Sequence, residues 1–513
     1  MTAVMSDVPR STNSKGTARH LGIDTGQEPV VYLHRDSPVV HSEGFASETR
    51  VKVVRIGDGQ SVLATLNVVT GPLLAVDEVG LSDTAWTNLH VCDGEVVTLA
   101  HSAPLDSLSL VRSKIYGRRL EADAFDAIIR DVAAGRYSDI YLASFITACA
   151  GGRLEHREIV DLTRSMIRAG ERIQWDAPKV FDKHSVGGLP GNRTSLLVVP
   201  IVAVAGLTMP KTSSRGITSP SGTADTMETL APVDLDLPAM RRVVEREGAC
   251  LVWGGRARLS PADDVLIRVE RPLDLDSPAQ LVASVLSKKA AAGVTHVLVD
   301  LPVGPTAKVR SYADAERLSV QLRSVGGAIG MDVMPVLTHG AQPIGRGIGP
   351  ALEARDALAV LQGSPEGPAD LRERALLLAG YLLEMGAVAP AGCGEGMARA
   401  ILEDGRAWTK FQAICEAQGG MRVPPTAAFT KAVLAPRSGH VHIVDNRRLG
   451  RVAKLAGAPH DPAAGLRLHV RLGEQVTRGQ PLYTVHAAAS GELEYALSYA
   501  RASADIIGIE DGP

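Results

Sequence analysis

Lys183, Ser185, Ser195, Ser213 and Thr223 fall in two stretches that crowd hydrogen-bond donors onto bare backbone. The first is DKHSVGGLPGNRTS, residues 182–195; the second is PKTSSRGITSPSGTADTME, residues 210–228. A phosphate dianion is costly to desolvate, so a site for one needs several donors at once, each charge-assisted bond contributing roughly 1.5–3 kcal/mol. Lys183 supplies charge, and Ser185, Ser195, Ser213 and Thr223 supply hydroxyls. Gly187, Gly188 and Gly191 let backbone N–H groups approach an anion without a Cβ in the way. A helix beginning at Ser195 would aim its N-terminus at the same place. Neither stretch carries GxxxxGK[ST] or GxGxxG, so the regular nucleotide fingerprints are absent. Turns gather Ser, Thr and Gly for their own reasons. The residues alone therefore reach an anion site, with ordinary surface turns as the competing reading.

The elements that must position these loops are legible as a change of texture along the chain. From about Pro29 to His101, VVYLH, RVKVVRIG, SVLATLNVV and GEVVTLAHS are rich in β-branched residues and broken by Gly, Asp and Asn, which predicts a small β domain. Beyond Pro104 the period becomes helical: Leu108, Val111 and Ile115 recur at helical spacing, as do Phe125, Ile128, Ile129 and Val132, with stops at Gly135 and Gly170. From Val180 to about Val336 short apolar strands such as THVLVDLPVG alternate with helical segments such as PAQLVASVLSKKAAAG, the pattern of an α/β sheet with parallel strands. More helices follow to about Gln418. From Phe429 the chain reads as strands with tight Gly turns: SGHVHIVDN, GLRLHVRLGEQVTRGQPLYTVHA and GELEYALSYA. GEQVTRGQPLYTV is similar to biotinyl or lipoyl carrier modules, but Lys454, the one lysine after Ser438, stands in a helix-like setting, so an assembly role is expected instead.

Bulk composition narrows the function class. At 513 residues the chain should hold roughly two to four domains. A formal net charge of −3 leaves no basic excess for nucleic-acid binding, and 4% aromatics supply few stacking platforms. Five cysteines lie far apart with no CxxC pair, which argues against a disulfide framework or a zinc site. The N-terminal MTAVMSDVPRSTNSKGTARH has no apolar core of a secretory signal and reads as a disordered tail. No apolar run is long enough to span a bilayer. A cytoplasmic protein with no membrane partner is expected, and no His/Asp/Glu cluster suggests an obligatory metal.

DKHSVGG, SRGITSPSGTADTME, LSPADD and LVASVLSKKAAAG, in this order, resemble the thymidine phosphorylase family from about Ser107 to the C-terminus. GLPGN, PKTSSR and CLVWGG are similar to its long (type 2) form, which includes archaeal AMP phosphorylases. The resemblance implies a multidomain α/β fold: an N-terminal tail and β domain over 1–104, and a helical domain over 105–175 to which 262–293 returns. An α/β phosphate-binding domain over 176–425, with a central mixed or parallel sheet, forms a cleft with the helical domain. A small barrel-sandwich-like α+β domain over 426–513 completes it. It also implies closure of the helical domain onto the α/β domain, and a homodimer or larger homo-oligomer.

The implied chemistry is phosphorolysis of a nucleoside or nucleotide by inorganic phosphate, with no organic cofactor. The family's phosphate ligands carry over to Lys183, Ser185, Ser195, Ser213 and Thr223, the residues the donor argument selects. Nucleotide-binding positions fall on Gly188, Ser214, Arg215, Gly216, Ile217, Thr218, Ser219, Thr223, Ser284 and Lys308, and the proton donor falls on Asp276. Without the family, the favoured reading of Asp276 is an N-cap for the helix starting near Pro278. His184 is a donor competent to meet the base, or a structural histidine. Lys288 and Lys289 read by default as a solvated pair, yet the family sets the first near the base. Arg215 contacts phosphate or fixes its loop. Short thymidine enzymes carry an arginine reading the pyrimidine where this chain has Val269, flanked by Arg268 and Arg271, and an aromatic residue where it has Lys308. A lysine there suits a 5′-phosphate. Thymidine and AMP are thus the two leading substrates, and a Mg²⁺-dependent phosphoribosyltransferase and a non-catalytic nucleotide sensor are the rivals from other classes.

Overall fold

The computed structural model describes residues 14–510 other than 48, 188, 217, 218, 256–258, 274, 276 and 504. The chain forms two compact units, one holding the residues up to Cys149 together with 265–274, the other holding 150–264 and everything from 275 onward.

The first unit opens with strands β1 (Lys15–His20) and β2 (Val30–His34), helix α1 (Pro38–Glu43), β3 (Arg50–Arg55), β4 (Ser61–Val69), β5 (Glu78–Leu81), helix α2 (Asp83–Leu89) and β6 (Val96–His101). They close into a barrel in the order β1-β5-β2-β4-β3-β6. Alternation explains it: Val51 and Val53 of β3, and Val62, Ala64 and Leu66 of β4, face inward, while Lys52 points to solvent. β1 corrects the expectation of a disordered tail reaching His20. Its sequence KGTARH buries only Gly16 and Ala18's side of the strand, too little for a pattern, and pairing with β5 and β6 holds it. Helices α3 (Ser107–Ile115), α4 (Ala122–Ala133) and α5 (Asp139–Cys149) complete the unit. Phe125, Ile128, Ile129 and Val132 line the buried stripe of α4, and Gly135, at φ 66°, ends the turn after it. Arg50 ties barrel to helices by donating to the Gly135 carbonyl at 2.6 Å.

The second unit begins with α6 (His156–Arg168), β7 (Phe181–Ser185), α7 (Ser195–Val204), β8 (Met209–Ser213), α8 (Thr223–Glu228), α9 (Leu237–Glu247) and β9 (Ala249–Trp253). Helix α10 (Pro261–Leu273) crosses the boundary between units, and α11 (Pro278–Ala291), β10 (His296–Val303), α12 (Tyr312–Ala328) and β11 (Asp332–His339) follow. All five strands pair in parallel: β11-β10-β7 form one sheet, β8-β9 another, and a parallel bridge between Val180 and Thr208 links β7 to β8. The chain therefore runs outward from β7 through β8 to β9, then returns to β7's other side for β10 and β11. The order therefore reverses beside β7, and in parallel α/β sheets the usual ligand position is at the carboxyl ends of the strands at such a reversal, here β7 and β10. Helix α7 is apolar all round and buried from Leu196 to Ala203, as a helix under a sheet must be.

After β12 (Gly347–Ile348) come α13 (Pro350–Leu361), α14 (Ala369–Met385), α15 (Gly394–Glu403) and α16 (Arg406–Ala417). The C-terminal part holds β13 (Phe429–Leu434), β14 (Gly439–Val444), α17 (Asn446–Leu455), β15 (Gly465–Leu468), β16 (Gln475–Val476), β17 (Pro481–Ala487), α18 (Ser490–Ala502) and β18 (Ile507–Glu510). Its sheets are β12-β15-β17-β13 and β16-β14-β18. The expected strand GELEYALSYA is instead helix α18. Leu493, Ala496, Leu497 and Ala500 are its buried residues, an i, i+3, i+4, i+7 stripe that the superficial alternation of the segment masked. Lys454 lies in α17, as its helix-like setting suggested. Among the described residues no helix is long and apolar enough to cross a membrane.

Candidate functional site

Ser185 ends β7 and stands opposite Asp300 of β10 in the strand register. Strand alternation sends Lys183 and Ser185 to one face and Asp182 and His184 to the other. On the first face Lys183, 1% exposed, donates from Nζ to Ser185 Oγ at 2.5 Å and to Thr194 Oγ1 at 2.6 Å. Ser185 Oγ in turn donates to Asp300 Oδ2 at 2.7 Å, Asn192 Nδ2 donates to the same oxygen at 2.9 Å, and Thr338 Oγ1 donates to Oδ1 at 2.5 Å. Among the described residues no carboxylate pairs directly with Lys183. Burial pushes its ammonium down to about 8, against the opposing pull of Asp300. Thr194 stands at the N-cap position of α7, so that helix's N-terminus and Ser195 sit one residue from the contact with Lys183.

The second loop leaves β8 at Ser213, whose buried hydroxyl oxygen has no hydrogen-bond partner among the described residues. Buried polar atoms are seldom left so. Gly216 and Gly222 donate backbone N–H groups to Asp225 Oδ2 at 2.6 and 2.7 Å, so that carboxylate already occupies the start of α8. Gly222 must be glycine: a Cβ there would meet the Ser214 carbonyl oxygen at 2.5 Å. Arg215 donates to Glu228 Oε1 at 3.1 Å and Asp225 Oδ1 at 3.3 Å, and lies over the Trp253 ring at 5.1 Å. These contacts tie Arg215 to α8 and to β9.

The two loops meet. Arg193 donates from Nε to Thr226 Oγ1 at 3.2 Å and from its second terminal nitrogen to the Ser221 carbonyl, and its Nε pairs with buried Glu353. Gly191, at φ 75°, lets the first loop turn against the Ile344 carbonyl, which a Cβ would strike at 1.9 Å.

On the other face of β7, Asp182 lies between Lys211, 3.2 Å from Oδ1, and Lys289, 2.6 Å from Oδ2, all three buried. Both ammonium groups also donate to the Thr212 carbonyl, at 3.0 and 3.1 Å. Two cations thus share one carboxylate. Lys211 is lowered to about 7, by burial first and by Lys289 and Lys183 next, with Asp182 opposing. His184, half-buried beside them, is held well below its ordinary value by burial and by Lys289, Lys211, Lys288 and Lys183. It is a neutral imidazole near pH 7, a hydrogen-bond donor and not a charged acid.

The structure brings Lys183, Ser185 and Ser195 together, and joins their loop to the one bearing Ser213, Ser214, Gly216, Ser219 and Thr223. Ser219 Oγ donates within that loop to the Ser221 carbonyl at 2.6 Å. Ser284 and Lys288 lie one helical turn apart on α11, and Lys288 forms an ion pair with buried Asp263. Lys289 is buried on Asp182, which corrects the reading of a solvated lysine pair. Lys308 is exposed in the turn after β10, on the carboxyl edge of the sheet. Gly188, Ile217, Thr218 and Asp276 lie outside the described residues. Ser277 caps α11, accepting from the Gln280 N–H at 3.4 Å. In the other unit Val269 is buried and Arg268 pairs with Asp139 at 2.5 Å. Among the described residues no group of three His, Cys, Asp or Glu side chains is arranged to hold a metal.

Sequence reasoning missed Asp182, Asn192, Lys211, Lys289, Asp300 and Glu353. The one available signal was charge in otherwise apolar strands: Lys211 in TMPKTS and Asp300 in VLVDLPV are polar where β-strand patterning wants apolar residues.

The glycosyl transferase family a/b domain matches residues 177–408, the helical bundle domain of the same family matches 108–170, and the pyrimidine nucleoside phosphorylase C-terminal domain matches 440–507. "Putative thymidine phosphorylase 2" of Acidovorax sp. (strain JS42) is 62% identical over 100% of both chains. "Putative thymidine phosphorylase" of Polaromonas sp. (strain JS666 / ATCC BAA-500) is 62% identical over 97% of each. A solved anthranilate phosphoribosyltransferase from Thermus thermophilus superposes with a TM-score of 0.49 at 19% identity, over 60% of this chain and 98% of that one. Similarity of this degree to the two phosphorylases along the whole length identifies the chain as an enzyme of the thymidine phosphorylase family, in its long form.

Proposed function

We propose that the chain catalyses reversible phosphorolysis of a nucleoside, with thymidine as the leading substrate: thymidine and inorganic phosphate give thymine and 2-deoxyribose 1-phosphate. The observation that carries this reading is the buried Lys183 ammonium, which has two hydroxyl partners, a helix N-terminus beside it and, among the described residues, no carboxylate of its own. Such a cation is set to receive an anion. In this reading Lys183, Ser185, Ser195, Ser213 and Thr223 hold the phosphate, and the Ser213 hydroxyl gains its missing bond.

A phosphate oxygen forms a bond to C1′ as the C1′–N bond breaks, and the electron pair leaves on the base nitrogen, which then takes a proton. Holding the phosphate in line with C1′ supplies the orientation, and donors aimed at the base meet its developing charge. His184 acts as a neutral donor to the base, since the lysines around it oppose an imidazolium. Asp276 is assigned the proton to the leaving nitrogen, and Ser284 and Lys288 the base. Inorganic phosphate is a co-substrate, and no organic cofactor or metal enters.

A second reading, AMP phosphorolysis to adenine and ribose 1,5-bisphosphate, is favoured by Lys308, an exposed cation on the carboxyl edge of the sheet suited to a 5′-phosphate, and by a buried Val269 in place of a base-reading arginine. Purified protein supplied with phosphate and, separately, thymidine, uridine, AMP, CMP and UMP decides between them by release of free base. Turnover of AMP without thymidine selects the second reading. Turnover that needs Mg²⁺ and a phosphoribosyl pyrophosphate donor removes both.

A further inference from the structure

Glu353 is fully buried in the first turn of α13, far from either loop in sequence, yet both loops converge on it. It accepts from the Gly191 N–H at 3.3 Å, from Thr226 Oγ1 at 3.1 Å and from the Gly349 N–H at 3.2 Å, and it pairs with Arg193 Nε. Arg193, also buried, sends its remaining nitrogens to the Asn192 carbonyl at 3.1 Å and to the Ser221 carbonyl. Thr226 Oγ1 closes the set by lying 2.8 Å from Ser221 Oγ. Three segments of chain are thereby joined: the first loop at Gly191 and Arg193, the second at Ser221 and Thr226, and the start of α13.

This arrangement separates Arg193 from the anion chemistry that its place beside Lys183 suggests. Its charge is paired with Glu353 and each of its three nitrogens has a protein partner, so its side chain is committed to holding the loops. A buried ion pair is a poor source of stability compared with apolar packing, but it fixes geometry, because every donor and acceptor must be met. The geometry fixed here is the spacing between Lys183 and Ser195 on one loop and Ser213 and Thr223 on the other. Displacement of a reacting group by about 1 Å is enough to cost on the order of 100-fold in rate.

We propose that Glu353, acting through Arg193 and Thr226, is the positioning residue that sets the separation of the two loops, and through it the affinity for inorganic phosphate, without touching the ligand. The proposal rests on the phosphorolysis reading above. Thr226 is the gentlest place to test it, because a valine keeps its shape and removes only the bridging hydroxyl.

The measurement is calorimetric binding of inorganic phosphate, with thermal unfolding of each protein recorded beside it. Unmodified chain should bind phosphate saturably. Thr226→Val should weaken that binding tenfold or more, Thr226→Ser should stay within threefold, and Glu353→Gln should lose at least as much as Thr226→Val. A Thr226→Val protein that unfolds at lower temperature but binds phosphate within twofold of the unmodified chain overturns the proposal, since the bridge would then be packing alone. Where a variant does not fold, amide hydrogen exchange of the unmodified chain decides. Phosphate should protect residues 191–195 and 221–226 with one shared concentration dependence, and separate midpoints overturn the coupling. Absence of any phosphate binding by the unmodified chain defeats the phosphorolysis reading itself, a result distinct from a variant that binds normally.

Discussion

The Lys183 ammonium reaches the Asp300 carboxylate most directly through the Ser185 hydroxyl, which accepts from the one at 2.5 Å and donates to the other at 2.7 Å, with a longer route through Thr194 and Asn192. The relay orients Ser185 and, among the described residues, leaves the lysine without a direct carboxylate partner at the carboxyl edge of β7. Replacing Asp300 with Asn keeps the shape and removes the charge, so Ser185 loses its strongest acceptor. Phosphate binding should weaken by roughly 10- to 100-fold, the scale of one charge-assisted bond of roughly 1.5–3 kcal/mol. Calorimetry on Asp300→Asn checks it; tighter binding, from a simple gain of positive potential, would show that the relay does nothing.

The buried lysine gives two pH dependences of opposite sign. Its folded value of about 8 lies below the ordinary 10.5, so between these pH values the unfolded chain holds the extra proton. Unfolding free energy should therefore rise with pH across that window, by up to about 1.4 kcal/mol per pH unit from this group. Lys211, at about 7, extends the rise to lower pH. Phosphate affinity should fall over the same range as Lys183 loses its charge. Denaturant unfolding and phosphate calorimetry from about pH 7 to 10, the span of these two lysines, test the pair; parallel trends would contradict the assignment.

Ser213 offers a substitution that harms function without harming the fold. Its hydroxyl oxygen is buried and has no partner among the described residues, so Ser213→Ala removes an unmet desolvation penalty of about 1–3 kcal/mol. Thermal stability should hold or rise while the KM for phosphate increases several-fold. A destabilised variant with unchanged KM would mean that the hydroxyl has a structural partner.

Asp182, Lys211 and Lys289 predict an order of stabilities. Lys211→Met leaves a one-to-one pair between Asp182 and Lys289 and should be nearly neutral for stability. Asp182→Asn strands two buried ammonium groups and should cost about 3–5 kcal/mol. Urea unfolding of both variants measures the difference, and equal losses would refute the sharing of one carboxylate.

The parts of this molecule that were legible in its sequence are the locally determined ones. The strands of the barrel, the stripe of α4 and the start of α7 at Ser195 follow from period and turn chemistry within a few residues. The same local reasoning failed where local signals were thin: β1 buries almost nothing of its own, and α18 hides a helical stripe under an apparent alternation. For the site, donor-rich loops pointed to Lys183, Ser185, Ser195, Ser213 and Thr223. The groups that arm them could not be found that way. Asp300 meets Ser185 across 115 residues, Glu353 meets Thr226 across 127, and Lys289 meets Thr212 across 77. Each looks like an ordinary element residue until the sheet order brings it home.

Everything proposed for this enzyme depends on two loops gripping free orthophosphate at Lys183. The most direct measurement is initial-rate release of thymine from thymidine, and of adenine from AMP, as orthophosphate is titrated, in the unmodified chain and in Lys183→Met. Saturable dependence on orthophosphate is expected for one of the two substrates, with a loss on the order of 100-fold or more in kcat/KM for phosphate in the variant, the scale of a removed transition-state donor. Base release that is indifferent to orthophosphate, or a Lys183→Met enzyme that matches the unmodified chain, would contradict it.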